Sequence, residues 1–360
     1  FDRFNVITSK QHGFRSGHSC ESQLLTPVED FMRSHDRKQQ TDVIALDFSK
    51  AFDKVPHRRL LSKLHHYGVR GKLHTWIGAF LQDRQQRVAV GGELSTSVPV
   101  ASGVPQGTVL GPLLFLCHIN DLPDCVQSTV RLFADDCLLY RTVRSIRDQI
   151  QIQEDLQSLQ HWADQWGMSF NAKKCFVLRI TRSGTSKLHH YSLNGQVLSE
   201  VTETPYLGVL LDHRLSWAPH ISGVVAKASR TIGFLRRNLS YCPPKLKSTA
   251  YTSLVKTKLG YCASIWDPYL RKDVKALEAV QRRAARFVCN DYGRRSSVTS
   301  MLQELQWTSL EHQRRINRLA LLYRITNDLV AVPPADYLRQ STRSTRGINR
   351  HKYITIGAKT

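Results

Sequence analysis

The residues best suited to chemistry are two adjacent carboxylates, Asp135 and Asp136, set between the apolar runs Val130 to Ala134 and Cys137 to Tyr140. That pattern predicts a hairpin of two half-buried strands with the acids at its turn. Two anions side by side repel, so keeping both ionised needs a compensating cation. Carboxylate oxygens are hard ligands, and Mg²⁺ favours one or two of them together with phosphate oxygens. A solvated Asp-Asp turn is the ordinary alternative. Against it stands a second acidic element, Asp42-Val43-Ile44-Ala45-Leu46-Asp47, a short apolar run with Asp47 at its C-terminal end. If both elements are neighbours in one sheet, Asp47, Asp135 and Asp136 meet at one edge. Three carboxylates around two ions about 3.5–4 Å apart are the parts needed for two-metal phosphoryl transfer.

Other elements must position these acids. Between them lies Ser102-Gly103-Val104-Pro105-Gln106-Gly107-Thr108-Val109-Leu110-Gly111-Pro112, whose glycines let backbone approach a ligand closely. Helix propagation is expected to begin only at Leu113 to Leu116. Upstream, Gln11-His12-Gly13-Phe14-Arg15-Ser16-Gly17 precedes an amphipathic helix expected to start near Ser19. Pro56 suits the first turn of a helix over Leu60, Leu61 and Leu64 that ends at Gly68. A further helix is expected around Leu73 to Leu81, and a hairpin about Gly91-Gly92. Downstream, residues 145 to about 166 read as a helix with Ile146, Ile150, Leu156, Leu159 and Trp162 as its apolar positions.

From about residue 213 the pattern turns helical and basic. Around 271–290, Val274, Leu277, Val280 and Ala284 share a face, while Lys272, Lys275, Arg282, Arg283 and Arg286 are expected outward. Thr308 and Glu311 read as a capping box opening a last helix through Ile316, Leu319 and Leu322. A basic Ser/Thr-rich tail, 339–360, reads as flexible. The 360 residues carry a formal charge of +22, which suits a polyanionic partner whose phosphates supply affinity without sequence reading. The eight cysteines show no paired spacing for zinc and read as buried, reduced thiols. His65-His66 and His189-His190 read as surface residues. No window approaches a membrane span.

Leu46-Asp47 through Phe52-Asp53, the Ser102 to Pro112 loop and Phe133-Ala134-Asp135-Asp136 resemble motifs A, B and C of reverse transcriptases. They are most similar to those of non-LTR (LINE-type, jockey- or CR1-like) retrotransposons. The resemblance implies an α+β right-hand polymerase fold. Its parts would be partial fingers (1–41), a palm with an antiparallel sheet and helices (42–210) holding an interleaved fingers segment (58–100), a helical thumb (211–290) and a C-terminal helical region (291–338). It implies two Mg²⁺ ions, with Mn²⁺ as a second candidate, on Asp47, Asp135, Asp136 and the Phe48 backbone carbonyl. It implies an RNA template, a DNA primer or RNA–DNA hybrid, and dNTPs as partners, with action in the nucleus and cytoplasm.

Gln106 and Gly107 would lie beside the incoming nucleotide. Phe52 would stack under the sugar and reject a ribose 2′-OH, which favours reverse transcription over RNA-dependent RNA synthesis; otherwise it is a core aromatic. Arg15 would contact template or triphosphate, or else is a surface residue at a helix start. Lys174, in a stretch resembling motif D, would protonate the leaving pyrophosphate, or else is solvated. Tyr206-Leu207-Gly208 resembles the motif E turn that grips the primer. The family carries a basic fingers stretch upstream of these motifs, so a truncated, catalytically silent nucleic-acid-binding remnant is the competing expectation.

Overall fold

The computed structural model describes residues 1, 4–183 and 187–338; the expected flexible tail, 339–360, lies outside them. The described residues divide into two compact units, one within 1–23 and 30–202 and one within 24–29 and 203–338.

Up to Thr202 the main elements, short two-residue strands aside, are α1 (Cys20–Asp36), β1 (Gln40–Leu46), α2 (His57–His66), α3 (Gly71–Leu81), α4 (Leu110–Ile119), β2 (Thr129–Phe133), β3 (Asp136–Val143), α5 (Ile146–Trp166), β4 (Phe176–Ile180) and β5 (Ser199–Val201). Their sheet has the order β5-β4-β1-β3-β2. β1 pairs antiparallel with both neighbours, β3 and β4, whereas β5 joins β4 in parallel. β1 is apolar throughout its centre because it is the middle strand, with Val43, Ile44 and Leu46 all buried. Helix α1 starts where expected, with Ser19 and Ser22 forming a reciprocal cap.

Three expectations need correcting. Helix α4 begins at Leu110 and not at Leu113, because Pro112 falls inside the first turn, where no N–H is required. In α5, Ile146 and Ile150 are exposed, and Ile152, Leu156, Leu159 and Trp162 face the core. The last helix is capped by Ser309, which accepts from His312 N, and not by Thr308. Its Ile316 and Leu319 are exposed, with Leu321 and Ile325 buried instead.

Beneath α2 the core holds a lysine. Lys63 is 4% exposed; its Nζ donates to His118 O at 2.6 Å and to the Asp121 carboxylate, and lies 3.7 Å from the centre of the Trp166 ring. Burial pulls its pKa down to about 8. His118 is fully buried, and burial, with the Lys63 charge added, lowers its pKa to about 3. The unfolded chain therefore takes up a proton below about pH 6.5 that the folded chain refuses. Stability present above that pH is lost as pH falls, by about 1.4 kcal/mol per pH unit for this one group. His118→Leu is expected to flatten the acid limb of urea-melt stability between pH 6.5 and 4.5 by that slope. An unchanged slope would mean that His118 titrates normally.

Beyond Thr202 come β6 (Glu203–Tyr206), β7 (Val209–Asp212), α6 (Ala218–Asn238), α7 (Pro244–Tyr251), a π-helical turn over Thr252–Lys256, and then α8 (Arg271–Cys289), α9 (Val298–Glu304) and α10 (Leu310–Thr326). In α8, Val274, Leu277, Val280 and Ala284 are buried as the periodicity requires. Lys272, Lys275, Arg282 and Arg283 are exposed. Arg286 is half-buried and turns back to the carbonyls of Asp291 and Gly293. No described helix is long and apolar enough to cross a membrane.

Candidate active site

The sheet register brings the acids together. Leu46 is the last residue of β1 and pairs with Cys137, so Asp47 emerges beside Asp136. Phe133 pairs with Asp136 across a two-residue turn, Ala134-Asp135. Ala134 has a φ of 51°, the left-handed region that few alanines adopt. Burial raises the pKa of Asp135, and the charge of Asp47 adds to it. Asp136 goes up to about 6, through burial first and then through Asp135 and Asp47. Burial is the larger cause of both shifts and the neighbouring anions add to it; a cation placed among them would oppose both.

The strand continues past Asp47 as a bridge to the segment before β4. Asn171 N donates to Asp47 O and Ser49 N to Ser169 O, each at 2.8 Å. These bonds flank Phe48, so its own carbonyl points away from Phe170 and is free of that pairing. Its ring is buried and stacks on Phe170 at 4.4 Å between centres. Lys174 Nζ lies 3.8 Å from Asp47 Oδ2, with its side chain largely exposed. Such a pair contributes about 1 kcal/mol at most to stability. Among the described residues no three His, Cys, Asp or Glu side chains are close enough to chelate one ion. The donors that do gather, carboxylates and a carbonyl, are hard oxygens of the kind that Mg²⁺ takes.

The Gly-rich loop is docked on the segment that follows Asp47. Val104 N donates to Phe52 O, and Gly103 N to Val55 O, both at 2.8 Å. Ser102 Oγ donates to Asp53 O. A Cβ on Gly103 would sit 2.8 Å from Asp53 backbone atoms, so only glycine allows this approach. Gln106 Nε2 donates to Asp53 Oδ1 at 2.9 Å, and Gly107, with a φ of 76°, faces open space. Thr108 accepts from Gly111 N and donates to Pro105 O, so its hydroxyl secures the start of α4. Phe52 is half-buried, with one face stacked on Phe115 at 4.3 Å.

Arg15 and the Tyr206-Leu207-Gly208 turn are both held by hydrogen bonds within the protein. Arg15 Nη1 donates to the carbonyls of Thr8 and Gln11, at 2.8 and 3.3 Å, and so braces its own segment. Tyr206, Leu207 and Gly208 form a tight hairpin between β6 and β7 in the second unit, with φ of 46° at Leu207 and 80° at Gly208. Positive φ at both central residues is the turn that matches strand twist. Tyr261 donates its hydroxyl to Leu207 O.

Sequence reasoning missed Gln11. Its side chain is 1% exposed, and its Oε1 accepts from Ala134 N at 2.9 Å and Gly13 N at 2.7 Å. Its Nε2 donates to Ala134 O at 3.2 Å. His12 N and Leu132 N exchange bonds with Leu132 O and Lys10 O, laying this segment along β2. A Cβ on Gly13 would meet Ala134 N at 2.3 Å. One buried amide thus holds both polar groups of the strained alanine before Asp135. The signal was a glutamine two residues before a glycine, with nothing in the sequence to join it to a turn beyond residue 130.

Comparison with known proteins adds independent evidence. Residues 1–211 match the family model described as "Reverse transcriptase (RNA-dependent DNA polymerase)". The chain is 28% identical to the "Probable RNA-directed DNA polymerase from transposon BS" of Drosophila melanogaster, over 86% of this chain and 35% of that protein. It is 27% identical to the "RNA-directed DNA polymerase from mobile element jockey" of the same fly, over 88% of this chain and 36% of that protein. It thus spans about a third of the length of these relatives. Among solved structures, apo telomerase from Candida tropicalis is similar at a TM-score of 0.48 and 10% identity, over 92% of this chain and 53% of that one.

Proposed function

The chain belongs to the reverse transcriptase (RNA-dependent DNA polymerase) family, and we propose that it extends a primer 3′-OH with deoxynucleotides on an RNA template, as part of a non-LTR retrotransposon polymerase. The observation that carries this reading is the register that sets Asp47 beside Asp136 with Asp135 at the adjoining turn. The family works with divalent metal ions. Asp47, Asp135, Asp136 and the Phe48 carbonyl would hold them, as two Mg²⁺ or Mn²⁺ ions. Metal bound there lowers the pKa of the attacking hydroxyl and stabilises the in-line transition state.

The protein's own residues do the rest. Phe52, wedged on Phe115, supports the sugar and excludes a 2′-OH. Gln106 and Gly107 border the nucleotide, and the exposed Lys174 reaches the leaving pyrophosphate. Arg15 takes part through the segment that it braces. The Leu207-Gly208 turn holds the primer, and the work is done in nucleus and cytoplasm. Primer extension on an RNA template, comparing dNTPs with rNTPs, tests the reading: dNTP-dependent extension is expected, and no extension with Mg²⁺ or Mn²⁺ on any template would overturn it.

Gln11→Ala should leave hybrid affinity and dNTP KM unchanged while lowering kcat about tenfold, because a strained turn that loses its brace misplaces a reacting geometry set to within about 1 Å. Gln11→Glu keeps the acceptor for Ala134 N, loses the donor to Ala134 O, and should fall between. Equal kcat for all three proteins would reduce Gln11 to a packing residue.

A further inference from the structure

At the end of the sheet opposite the carboxylates, the first unit carries a polar cavity of about 300 Å³ that the polymerase reading does not use. Its lining includes Arg33, Arg37, Arg141 and Arg144, together with Ser128 and Tyr140. β1 runs from Gln40, paired with Val143 here, to Leu46, paired with Cys137 at the acidic edge. Seven residues at about 3.3 Å each separate the two places by roughly 20 Å, so no single phosphate serves both.

Two independent observations mark this cavity as a site. The first is charge. Four guanidinium groups surround it, against one lining carboxylate, Asp30, which accepts from Tyr140 OH at 2.6 Å and lies 3.7 Å from Arg131. Arg141 is paired with Asp148 through Nε at 3.2 Å, and the exposed Arg37 and Arg144 form no ion pair among the described residues. The second is Ser128. It is 5% exposed, it lines the cavity, and its Oγ has no hydrogen-bond partner. Its backbone is fixed from the other side, since Gln127 N and Ser128 N donate to the Asp155 carboxylate at 2.9 and 2.8 Å. A buried hydroxyl left without a partner is costly, and native proteins normally complete it with a ligand, ion or water.

We propose that this cavity binds the phosphodiester backbone of a single-stranded nucleic acid, as a second contact separate from the catalytic edge. Forked, always-charged guanidinium groups match phosphate oxygens, and a neutral hydroxyl adds a hydrogen bond at the same anion. Two sources supply such a phosphodiester, single-stranded RNA and single-stranded DNA. The site needs no polymerase chemistry, so it stands or falls apart from the function proposed above.

The test uses the full chain already saturated with an RNA–DNA hybrid. A fluorescent six-nucleotide RNA, the matching DNA and inorganic phosphate are then titrated in turn, by anisotropy or by competition. Arg37→Ala/Arg144→Ala is expected to weaken the second oligonucleotide at least tenfold. It should also reduce the slope of log affinity against log salt by about 1.4, the amount for two single-strand phosphate contacts. Hybrid affinity and extension rate should not change. Ser128→Ala should weaken the same oligonucleotide about tenfold, a hydrogen bond to a charged group, with no fall in the free protein's Tm, because its hydroxyl has no partner to lose. Tighter RNA than DNA assigns the site to RNA, the reverse assigns it to DNA, and either supports the proposal. Wild-type binding of the oligonucleotide by both variants overturns it. So does inorganic phosphate competing as well as the oligonucleotide, since the cavity would then hold a free anion only.

Discussion

Asp135→Asn is expected to lower primer extension about a thousandfold or more while leaving hybrid affinity within about twofold, since removing a group that stabilises transition-state charge costs about 4 kcal/mol. The two effects separate for a physical reason. Affinity for a duplex comes from neutralising phosphates, and that capacity is spread over a chain with a formal charge of +22. The proposed chemistry depends on where the Asp135 carboxylate stands, at a turn held by Gln11 and near the charge of Asp47. Asparagine keeps the size and loses the charge, so the turn should survive. Asp136→Asn should be milder. Extension above about a tenth of wild type for Asp135→Asn, at equal hybrid occupancy, would remove Asp135 from the metal site.

Phe52→Val should raise rNTP use relative to dNTP use by about a hundredfold, read as the ratio of kcat/KM values. Phe52 touches no metal-binding carboxylate in its proposed role. One of its faces is taken up by Phe115, which fixes the ring's plane, and Val104 N fixes its backbone through Phe52 O. Truncation to valine therefore opens space without freeing the loop. Unchanged sugar discrimination, together with a lowered Tm, would return Phe52 to the core. Loss of extension with both nucleotide types would mean instead that the ring positions the loop.

The parts of the site legible in the sequence were those encoded locally. A continuous apolar run ending in Asp47 and two short apolar runs around Asp135-Asp136 each specify a strand by themselves. Their pairing then follows from the acids having to meet. The glycines of the loop were legible because three of them within ten residues, beside two prolines, read as a loop whatever they meet. What stayed hidden depends on distant partners. Gln11 is separated from Ala134 by 123 positions, and Lys63 from Asp121 by 58. Helix ends were misjudged where one residue type serves two purposes. The helix was expected only after Pro112, which is instead a first-turn residue; Thr308 looked like a cap, while Ser309 beside it is the one used. In α5 and α10 the apolar stripes were displaced, because exposed isoleucines carry the same periodic signal as buried ones.

The placing of β1 at the centre of its sheet has a consequence for how the chain is made. Both of β1's neighbours lie roughly a hundred or more residues later in the chain, so β1 leaves the ribosome with both of its edges unpaired. Contacts of such long sequence separation form slowly, since a large loop must close before any bond rewards it. Until β3 and β4 arrive, an apolar strand with open edges is an invitation to pair with another chain. The segment that leads into Asp47 is thus also the one most dependent on being shielded during synthesis. A chain of this design is best made slowly, or with a chaperone on its first unit until residue 180 has emerged.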